Sequence, residues 1–181
     1  MITEKTEKEF LKEHILTMIS VLDQMIGHHR NLLECCREEK TALAEANLKD
    51  IQSKTQTKEF LIENIRGLDK ARAETAGDII YSLSGNEKPL SLSQIILQVE
   101  PDFLEESLKL RSQMTTLIHL VGSIQKINDQ NRDFLKQSVT HIEEMKKNVL
   151  GEASPKTETY GNKGSVQSGK NQNSRLISKE V

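Results

Sequence analysis

Apolar residues step by four and three through Leu11, Ile15, Met18, Leu22 and Met25, pass His29, and resume at Leu32, Cys36 and Leu43. On a helix of 3.6 residues per turn this spacing gathers them into one stripe and predicts a first helix over 6–46. A second row at Ile19, Ile26 and Leu33 makes the stripe wider than a two-stranded seam, so this helix meets more than one neighbour. Asn47-Leu48-Lys49-Asp50 places an N-cap residue three positions before an acid and predicts a second helix running to about residue 84. Residues 52–59 contain no apolar side chain, whereas Phe60, Leu61, Ile62, Ile65 and Leu68 follow at once. Packing is therefore expected to be weak before Phe60 and firm after it.

Turn formers collect in Ser84-Gly85-Asn86-Glu87-Lys88-Pro89 and end that helix. A short helix over 91–98 would bury Leu92, Ile95 and Ile96. Pro101 suits the first turn of a helix, where its missing N–H has no partner to lose, and predicts a third long helix from there to about residue 150. The seam of that helix reads Leu110, Met114, Leu117, Val121, Ile124, Asn128, Asn131, Leu135, Ser138, Ile142, Met145 and Val149, widened by Leu120, Ile127 and Phe134. Three long helices with short links predict an all-α fold, an elongated antiparallel three-helix bundle resembling a coiled coil over 1–150. Beyond it, residues 151–181 are rich in Gly, Ser, Asn, Gln and Lys and hold no apolar period, so a disordered, flexible tail is expected.

Composition sharpens this reading. Hydrophobic residues are 35% of the 181 and charged ones 29%, which suits amphipathic helices. Aromatics at 3% and nine glycines are too few for a β-sandwich or a doubly wound α/β enzyme. A net charge of -2 and the shortage of stacking rings argue against nucleic acid as a partner. No apolar run approaches the roughly 18 residues of a membrane span, and the first fourteen residues lack the apolar core of a signal peptide. A cytoplasmic protein with no membrane insertion is expected.

Candidate chemistry is sparse. His28, His29, Cys35 and Cys36 are metal-ligand types, but each His lies seven residues from a Cys, roughly 10 Å along a helix. One metal ion cannot bridge that gap, and a Cys/His catalytic pair fails on the same geometry. Glu105-Glu106 and Glu143-Glu144 read as solvated helix faces. Gly161, Gly164 and Gly169 have no flanking strand and helix to make a phosphate loop. No catalytic residue, metal or cofactor is expected, and the chain is not read as an enzyme. Asn128 and Asn131 stand apart, since two amides hold seam positions that elsewhere carry Leu, Ile, Val or Met. Either they fix helix register as buried amides do, or the seam there awaits a polar and apolar partner helix. The stripe of Ile124, Ile127, Phe134, Leu135, Ile142 and Met145 is wider than an internal seam requires and could form a groove for such a helix.

The stretch TALAEANLKDIQSKTQTKEFLIENIRGLDKAR over 41–72 resembles the region where FlgN-type flagellar export chaperones carry an Ala-Leu, an acid at the helix joint, a Lys before a Leu pair and a closing Arg. IQKINDQNRDFLKQS over 124–138 resembles that family's last-helix signature of Asn, two spacers, Asn, then Leu and Ser. Tyr160-Gly161, followed by Gly164, is similar to its tail element. The resemblance implies a non-enzymatic cytoplasmic chaperone that binds the C-terminal helices of hook-filament junction proteins and delivers them to the flagellar export gate. It places client binding on the helix bearing Asn128, Asn131, Leu135 and Ser138, and gate docking on Tyr160. The rival reading is a structural coiled-coil or adaptor protein whose wide stripes drive self-association.

Overall fold

The computed structural model of the chain describes residues 2–84 and 90–150. Among these, every regular element is a helix: α1 (Ile2–Ala44), α2 (Leu48–Ser84), α3 (Leu92–Val99) and α4 (Leu104–Leu150). The all-α expectation holds, with the three long helices near their expected limits. The expected tail over 151–181, including Tyr160, lies outside the described residues. The chain divides into two compact units, Met1–Gln137 and Ser138–Val181. α4 begins in the first and ends in the second.

The joint between α1 and α2 is tight because one residue serves both helices. The Asn47 N–H donates to Ala42 O at 3.0 Å and the Ala46 N–H to Leu43 O at 3.2 Å, the paired bonds of a Schellman closure. Ala46 sits at φ 52°, the left-handed conformation this closure demands and which an alanine adopts at a cost. Asn47 then caps α2: its Oδ1 accepts the Asp50 N–H at 3.3 Å, while its Nδ2 donates to Asp50 Oδ2 at 2.6 Å. The N-cap expected at Asn47 is therefore present.

Two apolar clusters fill the first unit. In one, Leu11, Ile15, Met18, Leu22 and Met25 of α1 meet Ile79 and Ile80 of α2, Ile95, Ile96 and Val99 of α3, and Leu110 of α4. In the other, Leu32, Leu33, Cys35 and Cys36 meet Leu61 and Ile124. α2 runs back along α1, as the pairs Lys58–Glu39 and His14–Asp78 show. α4 follows α1 in the same direction, from Lys8–Asp102 through the Gln113 Nε2 bond to Ile19 O to the Lys40–Gln130 bond.

Two expectations need correction. Phe60 does not open the buried stripe of α2: it is 67% exposed, and its neighbour Leu61 is buried instead. A one-residue step is 100° around a helix, which takes Phe60 off the row that passes through Leu61 and Ile79. Lys58 and Lys54, one and two turns before Leu61, lie on that row and pair with Glu39 and Glu38 of α1. The stretch before Phe60 is mostly exposed, as expected, and meets α1 through these ion pairs. Pro101 is not in the first turn of α4 but in the link before it. There the Phe103 N–H donates to Val99 O at 2.9 Å, the Phe103 side chain is buried, and α4 starts at Leu104. The short helix α3 is as expected, with Ile95 and Ile96 buried and a Ser91/Gln94 capping box at its start.

Candidate functional site

The two asparagines that interrupt the α4 seam belong to a closed ring of polar contacts across three helices. The Lys58 ammonium on α2 donates to Glu39 Oε2 at 2.8 Å and to Asn128 Oδ1 at 3.1 Å. Asn131 Nδ2 donates to the same Glu39 oxygen at 2.9 Å and to Cys36 O at 3.1 Å. The Cys36 thiol closes the ring by donating to Asn128 Oδ1 at 3.4 Å. Every member sits at a seam or near-seam position of α1, α2 or α4. The Lys58 and Glu39 side chains are only 20% and 13% exposed, so the pair is poorly screened and held by geometry on both sides. A slip of any helix by one heptad would leave a charge or an amide facing hydrocarbon. Both asparagines thus make contacts within the chain's own helices.

Burial pushes both thiols up from their ordinary range, partly countered by Lys54 at Cys35 and by Lys58 at Cys36. Both stay protonated at neutral pH and behave as small apolar groups with a weak donor. His29 is likewise internal, its ring Nδ1–H donating to Met25 O at 2.7 Å.

The expected client-binding residues fall into three groups. Ile124 and Asn131 are buried within the first unit by its own helices, and Ile127 and Asn128 partly so. Phe134 and Leu135, also of the first unit, are exposed. Ser138, Ile142 and Met145 lie in the second unit, Ser138 half-buried and the other two exposed, together with Val139 and Val149. The residues that sequence reasoning missed are Lys58 and Glu39. Their signal was the heptad counted backwards from Leu61, which lands on lysines facing an acidic stretch of α1.

Over residues 14–168, from the first turns of α1 past the polar ring and the end of α4, the chain matches the family model described as FlgN protein. The chain belongs to the FlgN family. FlgN proteins are chaperones of flagellar export, and the FlgN family is a chaperone family rather than one of enzymes. No curated protein and no solved structure matches the chain. Among the described residues, no helix is long and apolar enough to cross a membrane.

Proposed function

We propose that this chain acts in the cytoplasm by binding the C-terminal helices of hook-filament junction proteins, keeping them soluble and delivering them to the flagellar export gate. The reading treats α1, α2 and α4 as a three-helix bundle whose last helix offers the client surface. The supporting observation is the apolar row at the end of α4, where Ile142 is 64% exposed, Met145 53% and Val149 81% on a helix otherwise rich in charge. A helix that kept such a row in water would gain by covering it, and an amphipathic partner helix supplies the matching face. On the first unit Phe134 and Leu135 are proposed as further contacts, and Ser138 of the second unit as a polar one. Ile124, Ile127, Asn128 and Asn131 then support the surface from within.

The test is a titration of the full chain with a synthetic peptide of a junction protein's C-terminal helix. Replacing Ile142 and Met145 together by Ala is expected to weaken binding at least tenfold, since each side chain contributes about 1.5–3 kcal/mol on burial. The urea midpoint should not move. Equal affinity of variant and parent would remove this row from the client site. Self-association is the competing use of the same face, and sedimentation at micromolar concentration separates the two. Gate docking through Tyr160 is proposed from the family resemblance, with the aromatic ring as an anchor of the kind favoured at hot spots. Tyr160→Ala is expected to leave peptide affinity intact and to weaken binding to the gate's cytosolic domain.

A further inference from the structure

The seam between α1 and α4 is covered by α2 on one side only. Glu39 faces Lys58 of α2. Lys40, about 100° further round α1, instead donates to Gln130 Oε1 of α4 at 2.9 Å, and Lys40 and Gln130 are both exposed. Next to that bond lies an open cleft of about 380 Å³. Its α4 wall is Gln130, Asp133, Phe134 and Gln137, spaced i, i+3, i+4 and i+7, with Asn131 behind them. Four residues of one helix face at that spacing form the hole that receives one side chain of a packed helix. The opposite wall is Lys40, Leu43 and Ala44 of α1. No further residue of α1 follows to fill the hole, because the helix ends at Ala44 and the left-handed Ala46 turns the chain into α2.

We propose that this hole receives one large apolar side chain, leucine, methionine or phenylalanine, of a client helix packed in the groove between α1 and α4 on the side away from α2. The occupant rests on the reading of α4 as the client-binding helix, and it names the kind of side chain that anchors the client there. The floor that an incoming group can reach is apolar. Leu43 is buried, and Asn131 has both amide hydrogens committed to Cys36 O and Glu39 Oε2 and its oxygen fully enclosed, so neither offers a polar contact. At the rim Lys40 is bonded to Gln130 and Asp133 lies beside Arg132 at 3.9 Å, and these groups stand in water together with Gln137. Contacts with such exposed groups contribute little net energy. A polar or charged client side chain would therefore give up hydration for almost nothing in return. An apolar one gains in proportion to the area it covers against Leu43, Ala44 and Phe134, and a side chain as small as alanine would leave the hole largely unfilled.

The test uses the full chain and a synthetic C-terminal helix peptide of a junction protein, in which each large apolar residue is replaced in turn by Ala. Ala44→Leu fills the hole from an exposed position outside the polar ring, and an unchanged urea midpoint checks its fold. Gln137→Phe narrows the same hole from α4 and is the second variant should the first move the midpoint. Ala44→Ser, which adds only a hydroxyl, is the size control. One peptide replacement is expected to cost about tenfold in affinity for the parent and less than about twofold for Ala44→Leu. Ala44→Leu should bind the unmodified peptide about tenfold more weakly than the parent does, and Ala44→Ser within about twofold of it. If the parent binds but every peptide replacement costs the parent and the filled variants alike, the hole is not the anchor and the proposal is overturned. Loss of binding on replacing Ile142 and Met145 would then still uphold the client reading. If the filled variants change self-association in sedimentation and leave peptide affinity as it was, a second copy is the occupant and the proposal again fails. A parent that binds no such peptide overturns both readings.

Discussion

The two clusters of the first unit share one heptad spacing along α1 yet are built on different terms. Around Leu22 all four helices contribute, and Ile15, Met18, Leu22, Ile79, Ile95 and Leu110 are almost entirely withdrawn from water. Around Cys36 only α1, α2 and α4 contribute, the cluster is smaller, and it is flanked by Lys58, Glu39, Asn128 and Asn131. The first end gains stability from area, which is indifferent to small changes of partner. The second end adds directional donor–acceptor contacts, which depend on register in a way that apolar area does not. The difference teaches that one unit can be held by apolar area at one end and by directional polar contacts at the other.

The largest expected effect tests whether the ends differ in strength. Leu110→Ala should cost about 2–5 kcal/mol, because the site is closed on all sides and a cavity remains. Leu61→Ala removes the same atoms from the thinner cluster and should fall at or below the lower end of that range. Urea unfolding of both variants reads the two values directly. Equal losses would break the comparison.

A second variant probes the ring itself. Lys58→Met leaves the Glu39 carboxylate and Asn128 Oδ1 each short of a donor, and should cost about 1–3 kcal/mol. Adding Glu39→Leu removes the stranded charge, so the double variant should be less destabilised than the sum of the two singles. Additive losses in such a cycle would mean that the lysine and the carboxylate do not act as a pair.

How much of this was legible in the sequence follows from what each residue's pattern encodes. The four- and three-residue steps through Leu11 to Leu43 gave α1 and its buried face, because periodicity is a property of one helix alone. Asn47 and Asp50 gave the joint, because a cap is local. Phe60 misled, because a run of apolar residues does not say which of them lies on the row, and the decisive neighbours were lysines. Lys58 and Glu39 were hidden for the same reason: charges read as solvent-facing until a partner helix is placed beside them. Asn128 and Asn131 were legible as an anomaly, but their meaning needed Cys36, 95 positions before Asn131 in the chain.

A smaller difference between the ends should appear with pH. Both cysteines sit at the polar end and both are held up by burial, so the folded chain keeps thiol protons that the unfolded chain releases. Between the unfolded cysteine pKa of about 8.5 and the higher folded value, the native state binds more protons than the unfolded one. Stability is therefore fully present below that window and falls as pH rises through it. The fall should vanish in a Cys35→Ala, Cys36→Ala double variant, whose overall stability is otherwise lower. A parent whose urea midpoint declines no faster than that variant's between pH 8 and 10 would remove the thiols as its cause.

The smallest expected effect concerns the turn that closes the polar end. Ala46 holds φ 52° so that its own N–H and that of Asn47 can reach Leu43 O and Ala42 O. In that conformation a Cβ crowds the following carbonyl, a strain that glycine does not feel. Glycine also gives the unfolded chain more freedom to lose, which works in the opposite direction. The strain, roughly 1–2 kcal/mol for an L-residue, exceeds the entropic loss of about 0.4–1 kcal/mol, so Ala46→Gly should stabilise by about 0.5–1 kcal/mol. The gain should come without any change in the ring, because Ala46 is exposed and takes part in none of its hydrogen bonds. It should appear mainly as slower amide exchange at Asn47 and Asp50, whose N–H groups hold the turn. An unchanged or lower urea midpoint would show that the strain at Ala46 is already relaxed.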